Sequence, residues 1–152
     1  MVDVDSFKQA NDTYGHLHGD KVLIALARML DNFAARVPGS HSARLGGDEF
    51  ALLLPQLTPQ SASTLAEALR AAFGAHKFEI DNSGTSLSIG IASLEAARDL
   101  PLETLVCRAD AALYRAKQLG RNRVEAQPVW EPVNADGAAA RGDRLELQRT
   151  AS

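Results

Sequence analysis

The chain has 152 residues, 45% hydrophobic and 23% charged, with a formal net charge of -3 at pH 7. That is the length and mix of one globular domain with its own core, and a second large domain is not expected. The acidic balance argues against a nucleic-acid surface built on bulk positive charge, no apolar run is long enough to cross a bilayer, and the start Met1-Val2-Asp3-Val4-Asp5 is not that of a secretory signal.

In chain order, Met1 to Val4 reads as the tail of a strand, with Val2 and Val4 alternating with Asp3. From Asp5 the period becomes helical, with Phe7, Ala10 and Tyr14 on one side and Gly15 as the stop. A longer helix is predicted from near Asp20, whose carboxylate suits a helix N-terminus, with Val22, Leu23, Leu26, Ala27, Leu30, Phe33 and Ala34 as its buried stripe. Pro38-Gly39 ends it. Ala43 to Leu45 and Phe50 to Leu54 read as the strands of a hairpin. Thr58-Pro59 then caps a helix carrying Leu65, Leu69, Ala72 and Phe73 on one face. Lys77 to Ile80 and Thr85 to Ala92 are expected to form a second hairpin around Asp81-Asn82-Ser83-Gly84. Pro101 introduces a last helix with Leu102, Leu105, Val106, Ala109, Leu113 and Ala116, closed by Gly120, and Arg121 to Glu125 is a short terminal strand. The single Cys107 lies in that apolar stretch and reads as a small buried residue; with no disulfide possible, a reducing, cytoplasmic compartment is the expectation. Residues 127–152, punctuated by proline and glycine, read as a flexible tail or linker, leaving 1–126 as the domain. Together these elements predict an α/β or α+β sandwich, helices on a mixed central sheet.

Three features separated in sequence carry chemistry. In the first hairpin, Gly46-Gly47-Asp48-Glu49-Phe50 puts two glycines and two carboxylates at a turn. Positive φ at Gly46 and Gly47 suits a tight turn, and the missing Cβ atoms let another molecule approach the backbone. Asp48 and Glu49 repel each other, so a metal ion or a basic group is the natural counter-charge. Asp3 and Asp5 close the first strand. If the two strands are neighbours, several carboxylates face one another across roughly 5 Å, an arrangement for a hard divalent cation; the competing role for Asp5, and less so for Asp3, is helix capping. The third feature is basic: Lys117 and Gly120-Arg121-Asn122-Arg123 at the end of the last helix, which with Lys8 would clamp a polyphosphate. Asn11 and Asp20 add an amide and a carboxylate that can match the edge of guanine.

The hairpin word Gly46-Gly47-Asp48-Glu49-Phe50 resembles the signature of the GGDEF family of diguanylate cyclases. A chance match to five fixed residues in a chain of this length is on the order of one in ten thousand. Asp3 to His16 with Gly19-Asp20, Leu87 to Ala92, and Ala109 to Lys117 with Gly120-Arg121-Asn122 are similar to three further family motifs, in the family's order. The resemblance covers Met1 to about Ala126. It implies a fold like the palm of nucleotide cyclases and polymerases, and the conversion of two GTP into cyclic di-GMP and two pyrophosphates with Mg2+ or Mn2+. The work is done at the interface of a homodimer. It also implies that Asp3, Asp48 and the backbone carbonyl of Val4 hold the metal. Glu49 is the second signature acid, assisting metal binding or activation of the 3′-hydroxyl. Asn11 and Asp20 read guanine, and Phe7 (through its backbone), Lys8, Lys117 and Arg121 hold the phosphates.

Two departures stand out. Where the family carries an inhibitory Arg-x-x-Asp, this chain reads Arg36-Val37-Pro38-Gly39-Ser40, so product inhibition through that site is not expected. The family's opening helix and most of its first strand are not in the sequence, so Met1 reads as an internal methionine, and uncovered sheet would cost several kcal/mol against a stability of about 5–15 kcal/mol. The alternative expectation is therefore a catalytically inactive domain that binds GTP or a partner, alongside a sensory or phosphodiesterase domain outside this chain.

Overall fold

The computed structural model describes residues 1–78, 85–94 and 101–128. Their elements run β1 (Val2–Val4), α1 (Phe7–Tyr14), α2 (His16–Ala34), β2 (His41–Gly46), β3 (Glu49–Leu53), α3 (Pro59–Gly74), β4 (Leu87–Ile91), α4 (Leu102–Gln118) and β5 (Val124–Ala126). The strands form one mixed sheet in the order β2-β3-β1-β4-β5, antiparallel except for the parallel β4–β5 pair. The expected α+β architecture is what the chain adopts.

Alternation along the strands sorts the two faces. Val2, Val4, Phe50, Leu87 and Ile89 point to one side, where Val22, Leu23, Leu26 and Leu30 of α2 and Ala66, Leu69 and Phe73 of α3 close the core. Asp3, Ser88 and Gly90 point to the other side, which α4 crosses. A Cβ on Gly90 would lie 2.2 Å from both Ala109 O and Leu113 N, so α4 sits on the bare backbone of β4. Glycine is required there by proximity rather than by its φ. The carbonyl of Met1 accepts from Gly90 N and its amino group donates to Gly90 O, each at 2.9 Å, which extends the β1–β4 pairing to the first residue.

Several elements differ from expectation for identifiable reasons. α2 begins at His16, directly after Gly15 in a left-handed conformation (φ 84°), so Asp20 lies inside the helix and does not cap it. Asp5 is no cap either: Ser6 occupies the N-cap position of α1, and Asp5 is buried. Ala66 replaces Ala72 on the inner face of α3. The α4 stripe is buried at Ala109, Ala112, Leu113 and Ala116, whereas Leu102 and Val106, toward the start of the helix, stay 60% and 42% exposed. Cys107 lies on the flank of α4 shared with Asp110 and Tyr114 and is exposed, contrary to the buried role expected. The second hairpin survives as β4; Lys77 and Phe78 are not in a strand, and its turn lies outside the described residues.

Candidate functional site

The acidic hairpin turns one residue later than expected. Gly46 is the last residue of β2 and pairs with Glu49, leaving Gly47-Asp48 as the two central residues. Only Gly47 takes positive φ (51°), which is the primed type of turn with glycine first that follows the twist of a hairpin. A register shift between Arg44 and Gly46 extrudes Leu45. Arg44 then folds back, its Nε and Nη2 donating to Gly47 O at 3.0 and 2.7 Å. This cation was not foreseen, because it donates to a carbonyl of the turn instead of pairing with either carboxylate. Neither Gly46 nor Gly47 would bring a Cβ within 4 Å of another atom, so the chain's own packing does not demand glycine at Gly46.

β1 and β3 are neighbours, as the carboxylate grouping requires: Asp3 is registered opposite Glu49, and Val4 N reaches Asp48 O at 3.4 Å. Because Val2 and Val4 face the core, Asp3 faces α4, where it is only 5% exposed. Lys117, in the last turn of α4, donates from Nζ to Asp3 Oδ2 at 2.7 Å. Burial pushes the Asp3 carboxyl up to about 6; the hydrogen bond and charge of Lys117 oppose that rise, and the charges of Asp48 and Asp5 add to it. Asp3 is thus a desolvated anion facing other anions, with one resident cation. Among the described residues no three His, Cys, Asp or Glu side chains cluster as a metal cage. The donors present, Asp3 and Asp48 with Glu49 alongside, suit a hard cation that takes one or two carboxylates and completes its shell with phosphate and water.

Asp5 does something different. Its Oδ1 accepts from Ser88 Oγ at 2.6 Å, and its Oδ2 accepts from Ser86 Oγ at 2.6 Å and Asn122 N at 3.0 Å. The grouping with Asp3 as a pair of ligands is not what the structure displays.

Away from the carboxylates, α1 and α2 meet at Gly19. A Cβ there would fall 1.9 Å from Asn11 Oδ1 and 3.1 Å from Phe7 Cζ. Gly19 therefore brings Asn11 and Phe7 against the residue preceding Asp20. Asn11 Oδ1 is buried with no hydrogen-bond partner, an acceptor without a donor. Asp20 is exposed and opens a cavity of about 490 Å³ between α2 and β2 that runs past Ile24 and Phe50 to Arg44. Lys8 is exposed on the first turn of α1 and Arg121 is exposed just beyond α4; among the described residues no ion pair joins either to the carboxylates. Arg123 lies 4.0 Å from Glu125, and its Nε donates to Arg121 O at 3.3 Å.

Solved structures with this arrangement define the class. The GGDEF domain of DgcB from Caulobacter crescentus, in complex with c-di-GMP, matches with a TM-score of 0.72 at 34% identity over 82% of this chain and 74% of that one. The active GGEEF domain of a diguanylate cyclase from Vibrio cholerae matches at 0.75 and 35%, over 84% and 80%. The fold and the hairpin are those of a nucleotide-cyclase domain.

Among curated proteins, diguanylate cyclase DgcM of Escherichia coli K12 is 43% identical over 127 residues, and VdcA of Vibrio cholerae 39% over the same length. These alignments cover 82% of this chain but 29% and 37% of the relatives, so the chain spans about a third of their length. The family model "Diguanylate cyclase, GGDEF domain" matches residues 1–123, and the chain belongs to that family.

Proposed function

We propose that the chain is the catalytic domain of a diguanylate cyclase, joining two GTP into cyclic di-GMP with release of two pyrophosphates. Two copies would each present one GTP; the 3′-hydroxyl of each attacks the α-phosphorus of the other, forming a phosphodiester as the bond to pyrophosphate breaks. The observation that carries the reading is the buried Asp3 at 2.7 Å from Lys117, opposite the Gly46-Gly47-Asp48-Glu49 turn. Carboxylates for a cation and a cation for phosphate meet at one end of the sheet.

Mg2+ or Mn2+ held by Asp3, Asp48 and the Val4 carbonyl would supply Lewis-acid polarisation of the phosphate oxygens. The chain's own residues do the rest. Lys117 exchanges Asp3 for the incoming phosphates, and Lys8 and Arg121 add positive charge where pyrophosphate charge develops. Backbone N–H groups near Phe7 and the uncrowded Gly46-Gly47 backbone approach the phosphates. Glu49, half-buried and next to Asp48, takes up the 3′-hydroxyl proton. Asp20 accepts from the N1 and N2 hydrogens of guanine, and a purine donor satisfies Asn11 Oδ1. A reaction that consumes GTP would run in the cytoplasm; separately, no described helix is long and apolar enough to cross a membrane. With no aspartate in the stretch Arg36 to Ser40, we expect no product inhibition through that site.

The test is incubation of the purified chain, at increasing protein concentration, with GTP and Mg2+, followed by chromatography for cyclic di-GMP. Turnover rising faster than linearly with protein supports the two-copy reaction. GTP binding without turnover at any concentration supports a regulatory module in its place.

A further inference from the structure

Among the described residues, Asp5 is the one buried acid that the reaction above does not use, and its surroundings assign it a task. It is 3% exposed, and its two oxygens accept from Ser86 Oγ, Ser88 Oγ and the backbone N–H of Asn122. Three donors occupy most of what a carboxylate can accept, which disfavours a cation on the same oxygens. What those donors hold is informative. Arg121 and Asn122 are consecutive non-glycine residues in the left-handed region, at φ 63° and 46°. A pair of this kind persists only where neighbouring bonds over-determine it. Here Arg121 N donates to Ala116 O at 3.0 Å, Asn122 N donates to Asp5, and Asn122 Oδ1 accepts from Arg70 Nη1 at 2.8 Å. Asp5 is the member of this set buried at the end of β1, two residues from Asp3. It ties the turn carrying Arg121 to the strand carrying the carboxylate site.

We infer that Asp5 is a positioning residue: it holds the 120–123 turn in its strained form so that Arg121 faces the nucleotide phosphates, and it is not a second metal ligand beside Asp3. The inference rests on the phosphate role given to Arg121 above. Substitution to alanine orphans Asn122 N and lets the turn relax. Asparagine preserves the tie, because its carbonyl still accepts from Asn122 N while a serine hydroxyl reverses to accept from its NH2 group. A metal ligand would show the opposite, since a carboxamide is a poor substitute for a carboxylate on Mg2+.

The experiment is calorimetric titration of the full chain with a non-hydrolysable GTP analogue and Mg2+, for the parent, Asp5→Ala, Asp5→Asn, Arg121→Ala and the Asp5→Ala/Arg121→Ala double variant, with melting curves alongside. Arg121→Ala and Asp5→Ala should each weaken binding about tenfold, Asp5→Asn should stay within about twofold of the parent, and the double variant should bind no worse than Arg121→Ala. A merely structural role lowers the melting temperature without producing that non-additivity. Additive losses in the double variant, or Asp5→Asn as weak as Asp5→Ala, overturn the inference. Arg121→Ala binding like the parent instead overturns the phosphate role of Arg121, and the inference with it. If Asp5→Ala does not fold, Asp5→Ser, one bond too short to span to Asn122 N, takes its place in the same comparison.

Discussion

Gly19→Ala separates base recognition from folding. The new methyl would sit 1.9 Å from Asn11 Oδ1 and 3.1 Å from Phe7 Cζ, so the Asn11 carboxamide must retreat by about the 1.5 Å that separates 1.9 Å from ordinary contact near 3.4 Å. That atom makes no hydrogen bond in the folded chain, so its retreat breaks none. Gly19 is inside α2, where alanine is favoured over glycine by about 0.5–1 kcal/mol. Crowding against Phe7 offsets some of this, and the net stability change is expected to stay within about 1 kcal/mol of zero. On the guanine role proposed for Asn11, the base then meets a displaced partner, at a cost of about 1–3 kcal/mol for a hydrogen bond left unmade, or roughly five- to 150-fold in Kd. Thermal melts and calorimetric binding of a non-hydrolysable GTP analogue read the two effects on one sample. Unchanged binding refutes the role of Asn11. A large fall in melting temperature refutes the claim that only a side-chain end has to move.

Asp48→Ala should abolish cyclic di-GMP formation while leaving the melting temperature within a few degrees of the parent, because Asp48 lies in the turn and not in the core; both are read by product chromatography and melting curves. Gly90→Ala should act in the opposite sense: its Cβ meets backbone at 2.2 Å, α4 has to lift from β4, and a loss of about 1–3 kcal/mol or more in urea unfolding should accompany weaker GTP binding. In the ligand-free chain, the Asp3 carboxyl rises from 3.8 to about 6 on folding, so its contribution to stability is full below 3.8 and lost as pH climbs through 6. Urea midpoints between pH 4.5 and 7 check this, and Asp3→Asn should flatten the fall. A midpoint in the parent that does not fall over this range refutes the shift.

Much of the domain was legible because its signals were local. The period change at Asp5, the Thr58-Pro59 cap and the Gly-rich acidic turn each encode a backbone preference within a few residues, and the elements follow them. The neighbouring of β1 and β3 was posed as a condition and is met, with Asp3 opposite Glu49. What escaped was set by long-range packing. Asp5 resembles a helix cap in sequence, yet Ser86, Ser88 and Asn122 claim it from more than 80 positions away. Nothing near Gly90 announces that a helix will rest on it, although a glycine inside an alternating strand is a signal of close approach. Cys107 shows the limit of periodicity: apolar neighbours in sequence did not place it on the buried stripe. Arg44 was passed over because its partner is a backbone carbonyl three residues ahead.

The seat of α4 on Gly90 also decides how stiff the two jaws of the site are. On one jaw, Lys117 belongs to a helix pressed against strand backbone with no slack, so its ammonium is carried on a rigid platform. On the other, the tip of the hairpin is held by the exposed Arg44 guanidinium and by the longer 3.4 Å reach of Val4 N to Asp48 O, and it has no atom within 4 Å of where its glycine side chains would be. For the nucleotide proposed above, any adjustment of the site would therefore fall to the hairpin rather than to the helix.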